Sequence, residues 1–163
     1  MRGGMRLAAA GAIAAAAVSL AACSNDTQQV SDSNWQVTDV YTTPGTPSAV
    51  DDSVAGAVTL NFGDKTVSGF TGCAPLNGIV KFTGGDGDQL AAPEDATKVE
   101  FTQVKFKPIE DDQCQGKVRY MHDALVNMLV DGFFTIRHEG DGVMVLTEQS
   151  DAVDPRAIRL IVG

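Results

Sequence analysis

Val58-Thr59-Leu60-Asn61-Phe62-Gly63-Asp64-Lys65-Thr66-Val67-Ser68-Gly69-Phe70 decides how this chain folds. Val58, Leu60 and Phe62 alternate with Thr59 and Asn61, the period-2 pattern of a half-buried strand. Gly63-Asp64-Lys65 turns the chain, and Thr66 to Phe70 returns as a second strand, so the segment predicts a β-hairpin.

Working outward, the same period recurs on both sides. Trp35 to Val40 predicts a first strand with Trp35, Val37 and Asp39 on one side. The stretch from Thr42 to Ser53 carries Pro44, Gly45 and Pro47 and reads as loop. After the hairpin, Gly69, Gly72, Pro75, Asn77 and Gly78 form a turn-rich link around Cys73, followed by a short strand from Ile79 to Thr83. Gly84 to Asp88 is a flexible glycine-aspartate loop. Val99 and Phe101 alternate, as do Val104 and Phe106, but the parity shifts between the pairs, and a bulge near Thr102 or Gln103 would restore one buried face.

Between Lys117 and Val130 the period changes to that of a helix. Val118, Met121, Leu125, Met128 and Leu129 recur at three- and four-residue spacings, and Gly132 is placed to end the helix at or just beyond its C-cap. Phe133 to His138 and Val143 to Thr147 flank Glu139-Gly140-Asp141-Gly142, a hairpin signal. Ala157 to Val162 is a last strand. The fold class is therefore α+β: a β-rich single domain, an antiparallel sheet of about seven strands with one helix late in the chain.

The first 22 residues have a different composition. Arg2 and Arg6 precede an apolar run from Leu7 to Leu20, and small residues Ala21 and Ala22 lead to Cys23, the basic–apolar–small order of a signal peptide over residues 1–22. The run is about 14 residues long, short of the roughly 20 that span a bilayer. Leu20-Ala21-Ala22-Cys23 resembles the bacterial lipobox. That resemblance implies lipidation of Cys23, cleavage just before it, and a membrane partner reached through the N-terminal lipid, with two acyl chains sufficing for stable anchoring. Residues 23–33 are polar and read as a flexible tether, whose reach is roughly 18 Å. The domain then runs from 34 to 163, on the extracytoplasmic side of the cell membrane.

The 163-residue chain has a formal charge of −9. Two of its 12 basic residues lie in the leader and all 21 acidic ones follow Cys23, so the exported chain carries 10 basic against 21 acidic residues, a formal −11. A polyanion repels phosphate backbones, which argues against nucleic acid as a partner.

Candidate chemistry is sparse. With Cys23 set aside, Cys73 and Cys114 are an even pair in an exported domain and read as a disulfide. Without a CxxC they make a poor zinc site. His122 and His138 have neither a ligand-spaced partner nor an HExxH frame, and His122 is expected at the boundary of the helix's apolar face. Val67-Ser68-Gly69 is a strand end rather than a nucleophile elbow. Asp86 and Asp88 open a calcium-like loop, but Leu90 and Thr97 stand where its further ligands belong. Glu110-Asp111-Asp112 reads as a solvated turn. The reading is of no enzyme, no catalytic residue, no metal and no cofactor.

Taken in order, these features resemble the META domain family, HslJ-like. The early Trp is Trp35. The strand before the motif is Val58 to Phe62, and the Gly-Cys motif is Val67-Ser68-Gly69-Phe70-Thr71-Gly72-Cys73. Asn77-Gly78 follows, Cys114 stands at the second cysteine, Leu125 and Leu129 lie on the helix face, and Val143 to Leu146 form the late strand. The resemblance covers residues 34–163. It implies a lipoprotein tied to stress tolerance, with no catalytic residues to carry over. The expected function is binding of an envelope protein in support of stress resistance or envelope integrity. The alternative is a small-ligand or inhibitor-like binding domain at the cell surface.

Overall fold

The computed structural model describes residues 29–43, 46–109, 112 and 114–163. Cys23, the expected signal peptide over 1–22 and residues 23–28 of the expected tether lie outside them. The described chain forms β1 (Asn34–Thr43), β2 (Thr46–Ala49), β3 (Thr59–Phe62), β4 (Thr66–Phe70), β5 (Pro75–Gly84), β6 (Gln89–Leu90), β7 (Lys98–Phe106), α1 (Gly116–Leu129), β8 (Phe133–His138), β9 (Val143–Glu148) and β10 (Ala157–Val162). The strands pair in the order β10-β9-β8-β7-β5-β4-β3-β1, all antiparallel, and β1 also pairs with β10. That last pairing closes eight strands into a barrel and leaves no free edge along the circuit. Short β2 adds to β1 and β6 adds to β5 outside the circuit, giving a 10-stranded sheet in all.

The expected α+β, β-rich single domain with one late helix is present, but about seven strands is too few and an open sheet is not what forms. Two stretches expected as loop or link are strand instead. The region 42–53 contains β2, and the supposed link around Cys73 contributes Pro75, Asn77 and Gly78 to a ten-residue β5. Turn-forming residues sit there because neighbouring strands approach closely. A Cβ on Gly78 would lie 2.5 Å from the Gln103 carbonyl oxygen, and one on Gly69 would collide with the Thr59 carbonyl.

The interior is filled by side chains. Trp35, Leu60, Phe101, Phe134, Met144, Leu146, Ile158 and Leu160 are each 1% exposed or less, as expected of an eight-stranded barrel whose bore is just wide enough for side chains. Phe101 meets Phe134 edge to face at 5.5 Å and Phe62 at 6.2 Å. Met121, Leu125, Met128 and Leu129 of α1 join the same core, and Tyr120 Oη lies 2.9 Å from Thr42 Oγ1 at the end of β1. The helix thus covers the end of the barrel where β1 and β4 finish.

The predicted bulge is found at Thr102. Ile79 faces Gln103 while Val80 faces Phe101, so Thr102 is the extra residue, and Val99 and Phe101 point inward. A second bulge, unforeseen, lies at Thr38: Val37 pairs with Leu160 but Asp39 with Arg159. It turns Asp39 away from the core and puts Val40 inside, fully buried, which reverses the expected side for Asp39. At the end of α1 the left-handed residue is Asp131 (φ 53°). Gly132 is needed for another reason, since a Cβ there would strike the Met128 carbonyl and the Phe134 ring.

Residues 29–33, expected as part of a flexible tether, pack against the barrel instead. Val30 is 1% exposed, its carbonyl accepts a 2.9 Å bond from the Trp35 indole N–H, and Asp32 N–H donates to the Phe62 carbonyl at 3.2 Å. Residues 29–33 therefore belong to the folded body, at the end of the barrel opposite the helix.

Candidate functional site

The disulfide expected from the cysteine count has its geometry. Cys73 and Cys114 stand at disulfide distance, with Cα atoms 5.4 Å apart, although 41 positions separate them in sequence. Cys73 follows β4 and Cys114 precedes α1, so the pair ties the first hairpin to the start of the helix. Beside it, Thr71 Oγ1 lies 2.6 Å from His122 Nδ1. The same oxygen accepts the N–H groups of Cys73 (3.3 Å) and Ala74 (3.0 Å) and lies 3.1 Å from the Ala74 carbonyl.

Thr71 is fully buried and His122 is 5% exposed, with the Phe106 ring edge to face at 6.0 Å. His122 is thus a core residue, not the boundary residue expected. Burial lowers its pKa and keeps the ring neutral. The Thr71 hydroxyl is fully engaged in holding the loop to the helix.

The other sequence candidates are scattered. His138 lies beside Trp35, ring centroids 6.5 Å apart, at the opposite end of the barrel, and burial lowers its pKa. Asp88 is spent on Lys98, at 2.6 Å. Glu110 and Asp111 lie outside the described residues, and Asp112 is exposed. Ser68 is an exposed strand residue.

A concave feature lies elsewhere, on the outer flank of β8, β9, β10 and β1. Cross-strand register sets Arg137, Val145 and Arg159 in one row and Thr135, Thr147, Ala157 and Tyr41 in the next. Tyr41, Thr42 and the Asp154-Pro155 segment wall this surface into a cleft of about 360 Å³. Its floor includes Val145, only 7% exposed although it faces away from the core. Arg137, Arg156 and Arg159 all line it, three of the four arginines among the described residues.

These three differ in their engagement. Arg156 grips Glu148 with two bonds, Nε to Oε2 at 2.8 Å and Nη2 to Oε1, which raises its pKa. Arg137 Nη2 reaches Glu139 at 2.5 Å, with both side chains well exposed. Arg159 Nη1 touches only the Thr38 hydroxyl, at 3.4 Å, and no ion pair forms between it and any described carboxylate, Asp39 opposite it included. Nothing in the sequence pointed to this cleft. An arginine at an outward strand position reads as a solvated charge, and the row exists only once β9 lies between β8 and β10.

The features together define a class by architecture: a side-chain-filled, eight-stranded antiparallel barrel covered at one end by a single helix and carrying an arginine-lined cleft on its flank. No family model matches the chain, and no curated protein matches it. Among solved structures, an NMR structure of a protein from Burkholderia xenovorans is similar. Its TM-score is 0.56 at 19% identity, covering 84% of this chain and 86% of that one. At that identity the likeness speaks for the fold alone.

Proposed function

We propose that this chain is a non-enzymatic, lipid-anchored cell-envelope protein of the META, HslJ-like kind. In this reading Cys23 carries the lipid, the domain stands on the extracytoplasmic side of the membrane, and it binds an envelope component in support of stress resistance. The flank cleft is the observation that carries the binding role. The barrel interior is filled, so a ligand would have to be met outside, and this concavity offers side chains not consumed by the fold. The two histidines favour a non-catalytic reading, since one holds a buried loop and the other sits against Trp35. The paired cysteines suit an oxidising compartment.

In this reading, chain direction sets which way the cleft faces. An anchor at Cys23 lies six residues before Gln29, near the start of β1. Tyr41, in the cleft wall, lies seven residues further along β1 than Asn34, roughly 23 Å at about 3.3 Å per residue. The cleft's Tyr41 end would therefore open away from the membrane. A small-ligand reading is favoured by the cleft's size, since about 360 Å³ lies in the range of about 300–1,000 Å³ typical of small-molecule sites.

The test is capture of the tagged lipoprotein from crosslinked envelopes, alongside metabolic labelling with a palmitate analogue. Wild type should take the label and retain a specific partner or ligand, and Cys23→Ala should lose the label. Label on Cys23→Ala would sink the anchoring assignment. Recovery of nothing beyond what a scrambled-surface control recovers would sink the binding role.

A further inference from the structure

We propose that the flank cleft binds a monoanionic carboxylate carried on a compact apolar body, with Arg159 as the residue that reads the charge. This rests on the binding role given above and names the chemistry of what is bound. Two observations and one rule of guanidinium chemistry converge. Arg159 presents a guanidinium with no ion-pair partner among the described residues, in a protein of formal charge −9. The guanidinium fork matches a carboxylate with two parallel bonds, geometry that a lysine cannot offer. Next to Arg159 in the cross-strand row is Val145, 7% exposed on the outside of the barrel, and with Ala157 it gives the cleft an apolar floor beside Pro155 of the wall.

The remaining charges set the valence. Arg156 is neutralised by Glu148 and Arg137 by Glu139. Glu139 and Asp154 also line the cleft, so a dianion or polyanion would meet like charge at its margin. One unmatched fork above an apolar floor, with carboxylates at the margin, selects a single negative charge with a hydrocarbon neighbour. A free amphipathic acid and the C-terminal carboxylate of a peptide share this chemistry.

The experiment is an amide NMR titration of the full-length protein in detergent with N-acetylleucine, N-acetylleucinamide, inorganic phosphate and a short peptide ending in a free leucine. N-acetylleucine should give saturable shifts confined to residues around Arg137, Val145, Thr147, Ala157 and Arg159. The amide, lacking the charge, should bind about tenfold more weakly or worse, which corresponds to about 1.4 kcal/mol. Arg159→Gln should weaken the acid by a similar factor, Arg159→Lys should restore only part of it, and Arg119→Gln should change nothing. Tighter binding of the peptide than of the acid assigns the site to a chain terminus, and the reverse assigns it to a free acid.

Equal binding of acid and amide overturns the proposal, as does equal loss in Arg119→Gln, or phosphate binding as tightly as the acid. If Arg159→Gln does not fold, Arg159→Lys and the acid–amide comparison still decide the matter. Failure here with a partner still captured from envelopes removes the ligand class and leaves the binding role standing.

Discussion

Thr71 Oγ1 and His122 Nδ1 meet 2.6 Å apart inside the protein, one from the loop after β4 and the other from α1. The contact joins two elements 51 positions apart at the point where the cysteine pair also joins them. The barrel and its covering helix are thus held by a polar bond and by the cysteine pair at one place, beneath the helix.

This buried histidine makes stability depend on pH. Its folded pKa is lowered from 6.5 by burial, so below that value the unfolded chain binds the proton more readily than the folded one. The contribution is fully present above about pH 6.5 and is lost as pH falls toward the folded pKa. Thermal melts between about pH 7.5 and pH 5 should therefore show a fall in Tm that is shallower in His122→Gln than in wild type. Parallel slopes for the two proteins would remove His122 as the titrating group.

Cys73→Ser should lower the melting temperature clearly, Cys114→Ser by a similar amount, and the double variant little further. Closing a loop of this length is worth on the order of 4 kcal/mol in the chain-entropy model, a large share of a total of about 5–15 kcal/mol. Mass spectrometry of unreduced protein should find both thiols blocked. Two alkylatable thiols in protein taken from the envelope without reductant would refute the bridge.

A domain begun at Asn34 should be less stable than one begun at Gln29. It loses the burial of Val30 and leaves the Trp35 indole N–H without its 2.9 Å acceptor. The two losses together are on the order of 2–4 kcal/mol. Urea unfolding followed by tryptophan fluorescence measures it, and equal midpoints would return residues 29–33 to the tether.

Gly69→Ala should destabilise the barrel even though its strand position is ordinary by sequence. The new methyl would collide with the Thr59 carbonyl on the neighbouring strand, a backbone group that cannot swing aside, and overpacking of this kind costs about 1–3 kcal/mol. A melting curve that overlays that of wild type would mean that β3 and β4 pair less closely than described.

Elements with a local signal can be read from the residues alone. The hairpin β3–β4 follows from alternation around Gly63-Asp64-Lys65, and α1 from an apolar repeat at helical spacing. The bulge at Thr102 was legible because the inward parity of Val99 and Phe101 breaks before Val104. The cysteine pair was legible from arithmetic. Tertiary structure decided what depends on neighbours distant in sequence. Asp39 turns outward because Thr38 bulges against β10, and Pro75 to Gly78 is strand because β4 and β7 flank it on both sides. Barrel closure rests on β1 meeting β10, the first and last strands of the described chain. Arg137 and Arg159 become neighbours only across β9. Local periodicity states which face of a segment is apolar, but which segments share a sheet is set by long-range pairing, and that pairing alone builds the cleft.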